Sequence, residues 1–81
     1  MTKNERRELD RAASLTAAGH RDMAARILAI VHRSARTEKT QAAAVQTAYA
    51  LGLQDRVTFV QSPWGGGYGM VHVDDAQAVR S

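Results

Sequence analysis

The feature that most restricts the fold is a change of texture near residue 55. Before it the chain is alanine-rich and broken by Gly19 and Gly52. After it come two β-branched runs, Val57-Thr58-Phe59-Val60-Gln61 and Met70-Val71-His72-Val73, separated by the loop Ser62-Pro63-Trp64-Gly65-Gly66-Gly67-Tyr68-Gly69. Alanine favours helix, whereas branched and alternating residues favour strand. Helices therefore come first and a hairpin last. With no linker, repeat or low-complexity stretch, residues 1–81 are expected to form one α+β domain: three helices followed by a C-terminal β-hairpin.

Local signals place the boundaries. Thr2 and Glu5 have the spacing of a capping box, so a helix is predicted over about 3–18, with Leu9, Ala12, Ala13 and Thr16 as its apolar face and Gly19 as its left-handed stop. Asp22 suits the first turn of a second helix, predicted over 22–35, in which Met23, Ile27, Ile30, Val31 and Ser34 follow the spacing of a buried stripe. Thr37 is an N-cap for a third, over 38–51, running through Ala42, Val45, Ala48 and Tyr49. It ends at Gly52, with Leu53 placed for the hydrophobic contact of a C-terminal cap. Strands are predicted at 57–61 and 69–73, and Asp74 onward reads as a short tail or frayed turn.

Size sets the next limit. A domain of 81 residues buries only ~60% or slightly more of its unfolded surface. Fifteen of the hydrophobic residues are alanine, which lets helices approach closely but contributes little apolar area. A second copy or another partner is therefore expected to complete the core, and the free edge of a two-stranded sheet is a place where a homodimer could pair.

The absence of cysteine removes disulfides, thiolate nucleophiles and Cys-ligated zinc, and fits a reducing cytoplasm. The start is charged, and the longest aliphatic stretch, Ile27 to Val31, is five residues. No signal peptide, membrane span or membrane partner is expected.

Charge is unevenly spread. Nine of the eleven Lys and Arg residues lie within residues 1–40, against five acidic ones; residues 41–81 carry two basic and three acidic side chains. An acidic partner would be steered to the N-terminal half. On the first helix Lys3, Arg7, Arg11 and Ser14 share one line, and on the second Arg26, Ala29, Arg33 and Arg36 share another. Such stripes suit phosphates or an acidic protein surface. The bland alternative is intrahelical pairing on a solvated face, through Glu8 with Arg11, Arg7 with Asp10 and Asp22 with Arg26.

Trp64 and Tyr68 stand four residues apart in the glycine-rich loop. Exposed, they would stack on bases or anchor a protein interface. Folded back, they would cover a core that otherwise holds only Phe59 and Tyr49 as aromatics. Tyr68 suits the core and Trp64 the outside contact, and both are candidate partner-binding residues beside Lys3, Arg7, Arg11, Arg26, Arg33 and Arg36.

Catalytic and cofactor signals are absent. The glycine cluster does not make a phosphate cradle: G-x-G-x-x-G from Gly67 would need glycine at His72, and the loop leads into a strand. His72 and Asp74 would share one strand face, but two ligands without a third do not make a metal site. Ser14, Ser34 and Ser62 lack a histidine and carboxylate at a telling spacing. No cofactor is expected, and the chain is not read as an enzyme.

Three helices followed by a hairpin also suggest a winged-helix DNA-binding regulator. Against it, Leu15 stands where a helix-turn-helix has alanine and Ala25 where it has a β-branched residue. The third helix would offer only Lys39, Thr40, Gln41, Gln46 and Thr47 as readers. A different likeness lies in Glu8-Leu9-Asp10-Arg11-Ala12-Ala13, Ala18-Gly19-His20-Arg21-Asp22-Met23-Ala24-Ala25-Arg26 and His32-Arg33-Ser34-Ala35-Arg36-Thr37. Over roughly the first forty residues this text resembles small accessory proteins encoded by phages and prophages of proteobacteria, some of them similar in character to anti-CRISPR proteins. The resemblance implies a stoichiometric inhibitor or modulator that covers a surface on a host protein or nucleoprotein complex; nucleic acid is the partner that the basic stripes and the winged-helix alternative would suit. It transfers no active-site residue.

Overall fold

The computed structural model describes residues 1–61 and 67–80. In chain order the elements are α1 (Lys3–Ala17), α2 (Arg21–Ser34), α3 (Glu38–Ala50), β1 (Val57–Gln61), β2 (Tyr68–His72) and α4 (Val73–Arg80). The three helices and the antiparallel hairpin follow the sequence reading. The fourth helix replaces the expected tail, and β2 begins and ends one residue earlier than predicted.

The helix ends form where their chemistry is written. Thr2 Oγ1 accepts the Glu5 N–H at 3.1 Å while Glu5 Oε1 accepts the Thr2 N–H at 2.8 Å, completing the capping box. At the other end of α1, Gly19 adopts φ +90°. The N–H groups of Gly19 and His20 return to the carbonyls of Thr16 and Leu15. The same double closure ends α3, with Gly52 at φ +72° and the N–H groups of Gly52 and Leu53 donating to Tyr49 and Ala48. Leu53 is then turned inward and fully buried. Thr37 Oγ1 caps α3 by accepting the Thr40 N–H at 3.2 Å.

α2 is the central element, packed against α1, α3 and β2. Its buried face only partly matches the predicted stripe: Val31 is buried and Ile27 packs against the core. Met23 and Ile30 are 51% and 56% exposed, Ser34 is exposed and Ile27 half-buried. The face turned inward is Ala24, Ala25, Leu28, Ala29, Val31 and His32. Alanine gives a weak hydropathy signal, yet it is what allows neighbouring elements to lie close on several sides of one helix. In α3 the inward residues are likewise Thr40, Ala44 and Ala48, while Tyr49 is 56% exposed. The core is thus alanine with Leu28, Leu53 and Met70 as its large fully buried members, each worth about 1.5–3 kcal/mol of transfer free energy.

The hairpin pairs Val57 with His72, Phe59 with Met70 and Gln61 with Tyr68. Because side chains alternate across a strand, one face carries Val57, Met70 and His72 onto α2. The other carries Val60 and Val71, and Ala76 of α4 covers them. This explains the fourth helix, since without it two branched side chains would face water. Two acidic residues in its first turn, Asp74 and Asp75, favour its start.

Candidate binding surface

The elements sort the charged side chains into two ends. His72 meets Asp22, near the start of α2, and Met70 meets His32 and Arg33, near its finish. β2 therefore runs against α2, and the Gln61–Tyr68 end of the hairpin lies beside the C-terminal end of α2. A shallow cleft of about 240 Å³ lined by Asn4, Glu5, Glu8, Ile27, Ile30, Val31 and Ser34 puts the start of α1 at that same end. Lys3, Arg33, Arg36 and Tyr68 are all exposed, on elements that reach this end of α2, where Glu5 and Glu8 also line the cleft. Tyr68 is 68% exposed, which corrects its placement in the core. Trp64 lies outside the described residues.

The opposite end is a closed charge network. Arg21 Nη2 donates to the Gly52 carbonyl at 2.6 Å and to Asp55 Oδ1 at 2.8 Å, fastening the start of α2 to the end of α3. Arg56 Nε lies 3.7 Å from Asp22 and 3.8 Å from Asp55. Arg26 reaches Asp75 at 3.5 Å and Asp74 at 3.9 Å. The expected pair of Asp22 with Arg26 is replaced by these contacts, because the hairpin brings α4 over Arg26 and His72 over Asp22. The hydrogen bond from His72, aided by the nearby Arg56 and Arg26 charges, holds the Asp22 carboxyl below its ordinary range. The hydrogen bond from Arg21 does the same for Asp55.

The two predicted stripes are therefore not equivalent. Lys3, Arg7 and Arg11 run along the solvent side of α1, with Arg11 3.9 Å from Glu8. Arg26 is committed to α4, and Arg33 Nη1 donates to the Met70 carbonyl at 2.8 Å. Arg33 nonetheless faces no carboxylate among the described residues, and four of its five N–H donors remain after that bond. On α2 the exposed Met23 and Ile30 and the half-buried Ile27 make an apolar row beside the basic positions.

His72 and Asp22 have the outward form of a proton relay, with Nε2 2.7 Å from Asp22 Oδ1. His72 is 1% exposed, and its other nitrogen, Nδ1, accepts the Asp74 N–H at 3.1 Å. That acceptor role fixes the proton on Nε2 and leaves no nitrogen to take one from a substrate. The residue instead caps α4 and ties it to α2. It does not share a strand face with Asp74, as the sequence suggested, because the helix begins between them. Among the described residues no three His, Asp or Glu side chains are grouped to hold a metal ion, and no helix is long and apolar enough to cross a membrane.

α3 offers little as a DNA reader. The Thr40 side chain is buried and bonded to Thr37, and the Thr47 hydroxyl donates to Ala43 at 2.7 Å. Glu38 is acidic in its first turn, where phosphate would approach. Lys39 and Gln46 are left exposed, with Gln41 half-buried. Comparison with known protein families, curated proteins and solved structures gives no match to this chain.

Proposed function

We propose that this chain is a non-catalytic binding protein. Its cationic end occupies an acidic surface on a host protein or nucleoprotein complex, as a phage-encoded inhibitor or modulator would. One observation carries the reading. Among the described residues, Lys3, Arg33 and Arg36, like Arg6, Arg7 and Lys39, have no carboxylate partner within 4 Å, whereas Arg21, Arg26 and Arg56 at the far end are each matched with aspartate. Internally matched charge stabilises the fold. Unmatched charge is available to an outside partner, and Arg33, bound to Met70 on the strand that carries the exposed Tyr68, pairs arginine with an aromatic residue of the kind that dominates interface energetics.

The test is affinity capture from a bacterial lysate over a salt series, with the wild type and two charge-reversed forms. A host protein held by the wild type should be lost, by about tenfold or more in affinity, when Lys3 and Arg36 become glutamate. Reversal of Arg7 and Arg11 should matter less. Retention indifferent to Lys3→Glu/Arg36→Glu sinks the proposal, and a gel shift with duplex DNA that the same reversal abolishes moves the chain to the class of DNA regulators.

A further inference from the structure

The two rims of the sheet are treated differently. Both the N–H and the C=O of Met70 bond to α2, through His32 Nδ1 at 3.2 Å and Arg33 Nη1 at 2.8 Å, so two side chains occupy the middle of the β2 rim. Since Met70 spends its N–H away from β1, its partner Phe59 is in a non-hydrogen-bonded pair, and the Phe59 backbone also points away from the ladder. The outer rim of β1 therefore presents the N–H and C=O groups of Val57, Phe59 and Gln61. Among the described residues no turn, loop or cap bond reaches the N–H or C=O of Phe59. Edge strands are ordinarily blunted by a charge, a proline or a bulge; Val57–Gln61 contains no charged residue and no proline, and its pairing with β2 is continuous.

We propose that this rim is a self-association surface and that its occupant is a second copy of β1, paired antiparallel about a two-fold axis through Phe59. The register suits it. With Phe59 opposite Phe59 of the partner copy, Val57 falls opposite Gln61, and the three residues whose backbone faces outward are those brought into hydrogen-bonded positions. Thr58 then faces Val60 on the α4 side. Charge suits it too, because Arg56 falls beyond the far end of the opposing strand and no like charges meet within the ladder.

The result is a four-stranded sheet with a helix from each copy on either face. α4 rests on both β1 and β2, so the two copies of α4 would stand roughly 10 Å apart, a normal separation for packed helices. Phe59 is 37% exposed, with its ring 5.6 Å from that of His32. Pairing would bring the two phenyl rings together across the axis, a cross-strand aromatic pair.

The experiment is light scattering at micromolar concentration on the wild type, Phe59→Lys and Phe59→Pro, with amide hydrogen exchange on the wild type. The expected results are a wild type at twice 8.8 kDa and a Phe59 amide whose protection rises with protein concentration. Phe59→Lys sets two ammonium groups against each other. Phe59→Pro removes a donor that the intramolecular ladder does not use. Both should run as folded monomers with unchanged helical circular dichroism. A monomeric wild type overturns the proposal. So does a dimer that survives both substitutions, or one in which the Phe59 amide exchanges freely, a reading that holds even if a variant misfolds.

Discussion

Nδ1 of His32 lies 3.2 Å from the Met70 nitrogen and accepts its N–H, so a helix side chain occupies the middle of a sheet rim that no strand covers. An acceptor at Nδ1 requires a neutral ring. Burial, with a smaller push from the Arg33 charge, lowers the His32 pKa from its ordinary 6.5.

The pH dependence follows with a definite sign. A depressed folded pKa means that the folded state prefers the neutral ring. This stabilisation is complete above 6.5 and is lost as pH falls through 6.5 toward the folded value. Asp22, Asp55 and Glu5 are held below 3.8, 3.8 and 4.5 and stay ionised in that window. Urea unfolding at neutral pH should place His32→Leu about 1–3 kcal/mol below the wild type, the cost of an orphaned Met70 N–H. That difference should shrink as the buffer is taken below 6.5; a constant difference refutes the assignment.

His72 joins α2, β2 and α4 in one ring. His72→Ala leaves Asp74 uncapped and opens space where the side chain was 1% exposed. The expected loss is about 2–4 kcal/mol, with α4 amides exchanging faster than those of α1. His72→Asn supplies a capping oxygen without the bond to Asp22 and should recover part of the loss. Equal damage from both substitutions would mean that the cap contributes nothing.

The end of α3 separates a conformational cost from a packing cost. A Cβ at residue 52 would meet no atom within 4 Å, yet φ is +72°, so Gly52→Ala should cost about 1–2 kcal/mol from backbone strain alone. Leu53 is fully buried, and Leu53→Ala should cost about 2–5 kcal/mol. Thermal melts that reverse this order would contradict the cap geometry.

Arg33 and Arg36 stand three positions apart and do different work. Arg33→Ala forfeits the bond to the Met70 carbonyl and should lower stability by about 1 kcal/mol. Arg36→Ala should lie within about 0.5 kcal/mol of the wild type, so binding lost on changing Arg36 reports on the partner and not on the fold.

Element order and helix ends were legible in the sequence because they depend on neighbours: Thr2 with Glu5, Gly19, Thr37, and Gly52 with Leu53 act within four residues of one another. What depended on distant packing was not. The spacing of Met23, Ile27 and Ile30 gave the stronger hydropathy signal on α2, yet the alanine side won because it lets α1, α3 and β2 all lie close. Asp22 meets His72 fifty residues away, a relation that no local spacing carries, and that pairing leaves Arg26 to the aspartates of α4. The helix was missed because eight residues give little periodicity, and its reason for forming, the bare Val60 and Val71, exists only once the hairpin is in place. Of the candidate site, Arg26 is committed to the aspartates of α4 and Arg33 to the Met70 carbonyl, while Lys3, Arg7, Arg36 and Tyr68 stay exposed.

The plug that His32 and Arg33 place against β2 bears on how this protein behaves when crowded. A sheet with two open rims is a template on which copies can stack without end, the route to fibres. Here the middle of one rim is occupied from within, which favours addition through the other rim alone, and such growth limits itself.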